Sequence, residues 1–434
     1  MSTTGIASIA FYLLCSLIGM APMNIGFGIL LLFYITARLR SEKGSVPNTL
    51  AIPGAKSLAV VSGLLALACG VSLFAMHFWP HSYAGHSPVL TFRAFEKLWY
   101  LLIPFLFVSA FQTQAPNSLP ALNFLRRIWW GTLLALLPVA IIQFLTGWPK
   151  PQVIPTNPDR FHAILFLGHH LSVSSVIPFP TFTALAVVLG AWQRDRRMPW
   201  FPTLVGLAGL TILFLSYART AWLAIPIGLV LLFMKYLKPK VLLASVAGLV
   251  LVLGLASQTP AMKERIRNSM GIQDRFRLWE ANLDYFKHRP VTGIGWLATQ
   301  EMSQYYFKER DPEHYREYFW GHAHSNYFEM LGGTGLLGFL FFLVFVGFTL
   351  RFSWQTGRMA DEAGLPGWGD FSRGITIALV LLHFNGLTNV TFWEGKVLHQ
   401  QMVSLGLILT IRAILTDRNG STPGVPINKR ASRS

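Results

Sequence analysis

The stretch "GHAHSNYFEMLGGTGLLG", residues 321 to 338, decides how this chain is read. Its second half opens an apolar run long enough to cross a bilayer. Its first half leads into that run through two histidines, a serine, an asparagine and a tyrosine. Most other apolar stretches here are plain Leu, Val, Phe and Ala. Polar residues at the mouth of a membrane helix raise a question of sidedness: which face His322 and His324 occupy, and what shares it.

Working outward, the whole chain is too apolar for a soluble protein, with 53% hydrophobic and 13% charged residues in a length of 434. A helix needs roughly 17 to 25 apolar residues to cross about 30 Å of hydrocarbon. Such runs recur at 5–22, 23–37, 57–78, 97–112, 124–146, 171–192, 200–217, 220–236, 240–257, 325–350, 374–392 and 397–416, with a tight turn expected near Pro22. The expected fold is an all-α polytopic membrane protein of about twelve spans. Spans one to nine occupy 1–257, a large outer loop with amphipathic helices 258–324, spans ten to twelve 325–416, and a polar, disordered tail 417–434. No basic stretch precedes the first apolar run, so no cleavable signal peptide is expected.

Lys and Arg bias in short connections sets orientation. One set of alternate connections carries Arg38, Arg40, Lys43 and Lys56, then Arg126 and Arg127, then Arg194, Arg196 and Arg197, then Lys235, Lys238 and Lys240, then Arg351, Arg358 and Arg373; the tail adds Arg412, Arg418, Lys429, Arg430 and Arg433. These belong to the cytoplasm, which places the loop 258–324 on the opposite face, the periplasm of a Gram-negative inner membrane. The net charge of +17 is accounted for by topology and anionic headgroups, which argues against nucleic acid. Cys15 and Cys69 fall inside spans and carry no metal-like spacing. The aromatic content of 14%, including Trp79, Tyr83, Trp148, Trp320 and Tyr327 near the outer boundary, fits sugar stacking and fits an ordinary aromatic belt equally, so no tryptophan is assigned a role.

The outer loop reads "RIRNSMGIQDRFRLWEANLDYFKHRPVTGIGW". Phe276, Trp279, Leu283 and Phe286 recur at helical spacing with Asp274 as N-cap, predicting an amphipathic helix at the membrane surface. Pro290 stops it, and Gly293 and Gly295 supply the turn. Arg275 and Arg277 sit in its first turn, where backbone N–H groups favour an anion. In "FLSYARTAW", Arg219 falls between spans seven and eight at the outer interface. The plain reading is a side chain snorkelling to headgroups; against it, an outer arginine opposes the positive-inside bias, and an ionisable residue there is a functional candidate.

His324 thus shares a face with Arg219, Arg275 and Arg277. A histidine at this boundary can act as a base near neutral pH, and arginines can hold a pyrophosphate leaving group through bidentate, charge-assisted bonds. The chemistry suggested is group transfer from a lipid diphosphate. A metal held by His322, His324 and His314 is the competing reading. Spacing of two puts His322 and His324 on different faces of a helix, and no Cys or acidic pair completes a site, so no metal and no cofactor is expected. No D-x-D motif is present to support metal-dependent glycosyl transfer.

The trio "SYART", "DRFRLWEANLDYFKHRPVTGIGW" and "HAHSNYFEMLGGTGLLG", in that order over roughly 210–345, resembles the O-antigen ligase family, whose superfamily also holds O-antigen polymerases and protein O-oligosaccharyltransferases. The resemblance implies an inverting glycosyltransferase that moves a polymerised glycan from undecaprenyl pyrophosphate to a lipid A core sugar on the periplasmic face, without metal or nucleotide sugar. It maps the catalytic histidine to His324 and pyrophosphate-binding arginines to Arg219 and Arg275, leaving the choice between Arg275 and Arg277 open. The chain ends soon after span twelve, which favours the ligase over the longer oligosaccharyltransferases; the polymerase is the alternative. A lipid-linked glycan transporter is the alternative of another class. It should place ionisable groups at mid-membrane on broken helices, where His383 is the single clear candidate.

Overall fold

The apolar runs become helices. A computed structural model describes residues 4–40, 48–78, 82–89, 92–114, 118–154, 157–234 and 272–420, with positions 240, 241, 243, 244, 247 and 248. Trp79, Lys43, Lys235, Lys238, most of the expected ninth span, the first part of the outer loop and the tail from 421 lie outside the described residues. The helices are α1 Thr4–Cys15, α2 Met20–Arg40, α3 Ala55–Phe78, α4 Phe92–Trp99, α5 Ile103–Gln114, α6 Leu119–Thr146, α7 His170–Val176, α8 Pro178–Asp195, α9 Trp200–Leu215 and α10 Arg219–Phe233. After the undescribed stretch come α11 Ile272–His288, α12 Thr299–Arg310, α13 Asn326–Glu362, α14 Pro366–Asn385 and α15 Gly395–Gly420. Among the described residues one short two-stranded sheet, Val153–Ile154 with Asn157–Phe161, interrupts the all-α pattern.

Seven of these helical stretches are long and apolar enough to cross a membrane: Met20–Leu39, Ala55–Phe78, Ala94–Thr113, Leu119–Thr146, His170–Asp195, Asn326–Glu362 and Gly395–Arg418. Shorter apolar helices are Thr4–Cys15, Trp200–Leu215 and Arg219–Phe233. The chain is an all-α, multi-pass membrane protein. α15 is enclosed along its membrane-length part, packed by α5, α13, α14 and α2. Around it α8 packs on α14 and α9, and α13 on α3 and α14.

Three expectations need correcting. Pro22 does not make the first turn: it lies in the opening turn of α2, where proline is tolerated because its missing N–H would have no helical partner, and the turn falls at 16–19. The helix that overlaps the expected span 374–392 is shifted toward the N-terminus, running over Pro366–Asn385. Asp370 is buried and pairs with Arg194 at 2.6 Å and with Arg373, which also reaches Asp361 at 2.6 Å, so charges that look like a loop are neutralised inside the helix. Arg412, read as a tail charge, is buried in α15 over the ring of Phe352 at 4.0 Å, donating to Thr356 Oγ1 at 2.7 Å and the Phe352 carbonyl at 3.0 Å.

The glycines of the opening motif fix how the segment before α13 docks on it. α13 is kinked at Gly335, which has φ 64° and ψ −166°. The turn after α11 is stitched onto that kink: Leu336 and Leu337 N–H groups donate to the Pro290 and Val291 carbonyls, while Ile294 and Gly295 donate to the carbonyls of Gly332 and Gly333. A Cβ on Gly293 would lie 2.3 Å from the Gly333 carbonyl, so the backbones approach at a distance only glycine permits. Behind this seam a second core forms from Tyr83, Leu278, Ala281, Tyr285, Ile294, Met302, Tyr306 and Phe307.

α11 buries Leu278, Ala281, Asn282 and Tyr285 against the protein, while Phe276 and Leu283 of the apolar stripe read from the sequence are exposed. The helix starts at Ile272, so Asp274 sits within its first turn instead of capping it.

Candidate functional site

Residues 321–325 form a folded turn ahead of α13, and its main chain is pinned from both sides. The indole N–H of Trp279 on α11 donates to the Ala323 carbonyl at 2.9 Å, and the Ala323 N–H donates to Glu329 Oε2 at 2.8 Å. The other oxygen of buried Glu329 accepts from the Thr299 hydroxyl on α12. Next in the motif, Asn326 donates its N–H to the Gly386 carbonyl at 2.8 Å and accepts from the N–H groups of Thr391 and Phe392 at 2.8 and 3.1 Å. The asparagine thus clamps the connection between α14 and α15 to the histidine turn.

Held this way, His324 adopts φ 48°, a left-handed conformation uncommon outside glycine. The turn brings the His322 and His324 rings to 4.4 Å between centroids, at 62°. Both histidines precede the helix, so the expectation that helical spacing separates them is wrong: the left-handed residue folds the two side chains together. The His324 N–H donates to His322 Nδ1 at 3.2 Å. Both ring nitrogens of His324 are buried and meet no hydrogen-bond partner among the described residues. Burial, then the neighbouring His322 ring and the Arg275 guanidinium, push the His324 imidazole down to about 3, so it is neutral at physiological pH.

That coupling locates Arg275, which lies within electrostatic reach of His324 and makes no ion pair among the described residues. Arg277 is engaged elsewhere, 3.3 Å from Asp274 and 4.3 Å over the Tyr318 ring. Arg219 begins α10, immediately after the turn at Ser216–Ala218, as read from its sequence position. Its charge reaches His170. His314, the third ligand of the metal reading, instead donates to Asp311 at 3.1 Å.

Several residues at this site escaped the sequence reading. His169 and His170, at the mouth of α7, stack at 4.2 Å; His170 stacks in turn on buried His162 at 4.3 Å, and His162 Nδ1–H donates to the Ser216 carbonyl at 2.7 Å. His169 lies within electrostatic reach of His322, Glu394 and Lys396 and acts on His324. Glu394 accepts from the Ser172 hydroxyl, and Lys396 donates to the Leu167 carbonyl. The signal was there in "FLGHHLS", another pair of histidines leading into an apolar run. Glu394 and Lys396 carried none, because they come near only when the connection between α14 and α15 folds onto the segment before α7.

A family model described as O-antigen ligase matches residues 203–343. Arg219, Arg275, Arg277, His322 and His324 all fall inside the matched segment. No curated protein matches the chain.

Proposed function

From the premise that this chain carries an O-antigen ligase family domain, and with it a glycosyltransferase-like function of the O-antigen ligase and polymerase superfamily, we propose that it is the ligase itself. It moves a polymerised glycan from undecaprenyl pyrophosphate to a sugar of the lipid A core, at the periplasmic face of the inner membrane and without a metal. One observation carries this reading: a buried imidazole with both nitrogens unpartnered, His324, within electrostatic reach of Arg275 and of the histidines that connect to Arg219.

The reaction is a single displacement. The acceptor hydroxyl attacks the anomeric carbon, its proton passes to His324, the bond from that carbon to the phosphate oxygen breaks, and undecaprenyl pyrophosphate leaves with inversion. Arg219 and Arg275 bind the diphosphate and stabilise the charge that grows on it. A bound anion also raises the proton affinity of the nearby imidazole, so His324 strengthens as a base only once donor is present. Because donor and acceptor are both lipids, the bilayer supplies part of the proximity.

Deleting the gene tests the assignment. Surface lipopolysaccharide should lose its long chains while lipid-linked polymer accumulates. A single repeat unit left on the core would mark a polymerase instead, and unchanged lipopolysaccharide with an under-glycosylated protein an oligosaccharyltransferase.

The two loop arginines should separate cleanly. Arg275→Gln removes a charge-assisted contact worth about 1.5–3 kcal/mol, so affinity for undecaprenyl pyrophosphate should fall at least about tenfold. Arg275→Lys should recover part of it, keeping the charge but losing the planar fork. Arg277→Gln should leave binding nearly unchanged, since its guanidinium already has Asp274 and Tyr318. Titration of the purified variants decides; a larger loss at Arg277 would reverse the assignment.

A further inference from the structure

The mechanism leaves His169 and His322 unused, yet the fold treats them alike. His169 Nδ1 accepts from the Leu171 N–H at 3.2 Å, and His322 Nδ1 accepts from the His324 N–H at 3.2 Å. A neutral imidazole whose Nδ1 accepts carries its proton on Nε2. Backbone geometry thus selects the same tautomer twice, on two segments far apart in sequence, and in each case leaves an Nε2–H as the free end. The rings lie within electrostatic reach of each other, and His169 within reach of His324.

His169 is also braced. Behind it runs the stack through His170 to His162, at 4.2 and 4.3 Å with interplanar angles of 30° and 14°, ending on the Ser216 carbonyl beside the turn that presents Arg219. Lys396 holds the Leu167 carbonyl just before it, and Glu394 the Ser172 hydroxyl just after it. Burial holds the His169 imidazole below its ordinary value, against the opposing pull of Glu394, so the ring stays neutral.

We propose that His169 and His322 are a pair of fixed, neutral Nε2–H donors to the phosphoryl oxygens of the lipid diphosphate. This rests on the diphosphate reading of the site given above. A glycosylated diphosphate is a diester with two negative charges, which Arg219 and Arg275 match. Its remaining oxygens need hydrogen bonds without further positive charge, and neutral imidazoles supply them. The residues add no covalent step; they bind.

The test uses purified full-length protein in detergent titrated with undecaprenyl pyrophosphate. Asparagine places an oxygen roughly where Nδ1 stands and loses the far N–H. Glutamine places an N–H roughly where Nε2–H stands and loses the near acceptor. His169→Asn and His322→Asn should each weaken binding about tenfold or more, as expected for a lost bond to a charged group, and His169→Gln and His322→Gln should come back to within a few-fold of wild type. Asparagine is also a good helix cap, so His169→Asn keeps the start of α7. Should it still misfold, His322→Asn reads the same kind of donor on a segment that caps no helix. Asn variants that bind like wild type, or Gln variants weaker than Asn ones, overturn the proposal and leave both histidines as backbone caps. Arg219→Gln separates the levels: if it loses affinity while the Asn variants do not, only the donor pair is wrong; if it too binds like wild type, the diphosphate site itself is misplaced.

Discussion

His324→Ala is expected to lower turnover by about 10²- to 10⁴-fold, the usual contribution of a positioned general base, while binding of undecaprenyl pyrophosphate without acceptor stays close to wild type. Both ring nitrogens are buried and unpartnered among the described residues, so removing the ring strands no donor or acceptor and should cost little stability. The left-handed backbone at this position is, if anything, relaxed by His324→Asn, which tolerates that conformation but has no titratable nitrogen. The Asn variant should therefore fold as well as wild type and turn over as poorly as Ala. His322→Ala should not be innocuous, contrary to what helical spacing suggests, because the His322 ring accepts the His324 N–H and stands 4.4 Å from its ring. Single-turnover transfer measured beside donor titration decides: loss of donor affinity in His324→Ala would move this residue from proton transfer to diphosphate binding.

Gly335→Ala is expected to destabilise the protein enough to deplete it from the membrane. The residue has φ 64° and ψ −166°, a region nearly closed to any side chain, at about 1–3 kcal/mol. Its new Cβ would stand 2.5 Å from the Val291 carbonyl and 2.6 Å from the Gly293 nitrogen, adding overpacking of about 1–3 kcal/mol. The sum, about 2–6 kcal/mol, is a large share of a domain's whole stability and reaches its lower end, about 5–15 kcal/mol. Gly347→Ala, in the same helix with open space around it, should be neutral or stabilising, since alanine is the better helix former by about 1 kcal/mol. Thermal unfolding of the two variants side by side is the measurement. A Gly335→Ala protein as stable as Gly347→Ala would mean that the seam between the 290–295 turn and α13 is not what fixes α11 against α13.

The sequence by itself determined the class of fold and named candidate site residues. Apolar length sets where helices form, because the bilayer demands internally satisfied backbone over a fixed thickness, and that requirement is local. Arg219 could be placed at a turn and Pro290, Gly293 and Gly295 in a chain reversal for the same reason. Local reading misplaced the first turn and the start of α11 by a few residues, and it failed more deeply where charges found partners across the bundle. Asp370 and Arg373 looked like a loop and Arg412 like a tail, until Arg194, Asp361 and Thr356 came within bonding distance. The rest was a matter of tertiary structure. Spacing could not distinguish Arg275 from Arg277, because what differs between them, the Tyr318 ring under Arg277 and His324 within reach of Arg275, comes to α11 from segments distant in sequence. Nor could it join His322 to His324: one left-handed residue, held by Trp279 and Glu329, overrides the helical period. His162, His169, His170, Glu394 and Lys396 came near the candidate site by folding alone, since a side chain's charge environment depends on distance in space, and sequence separation says nothing about it.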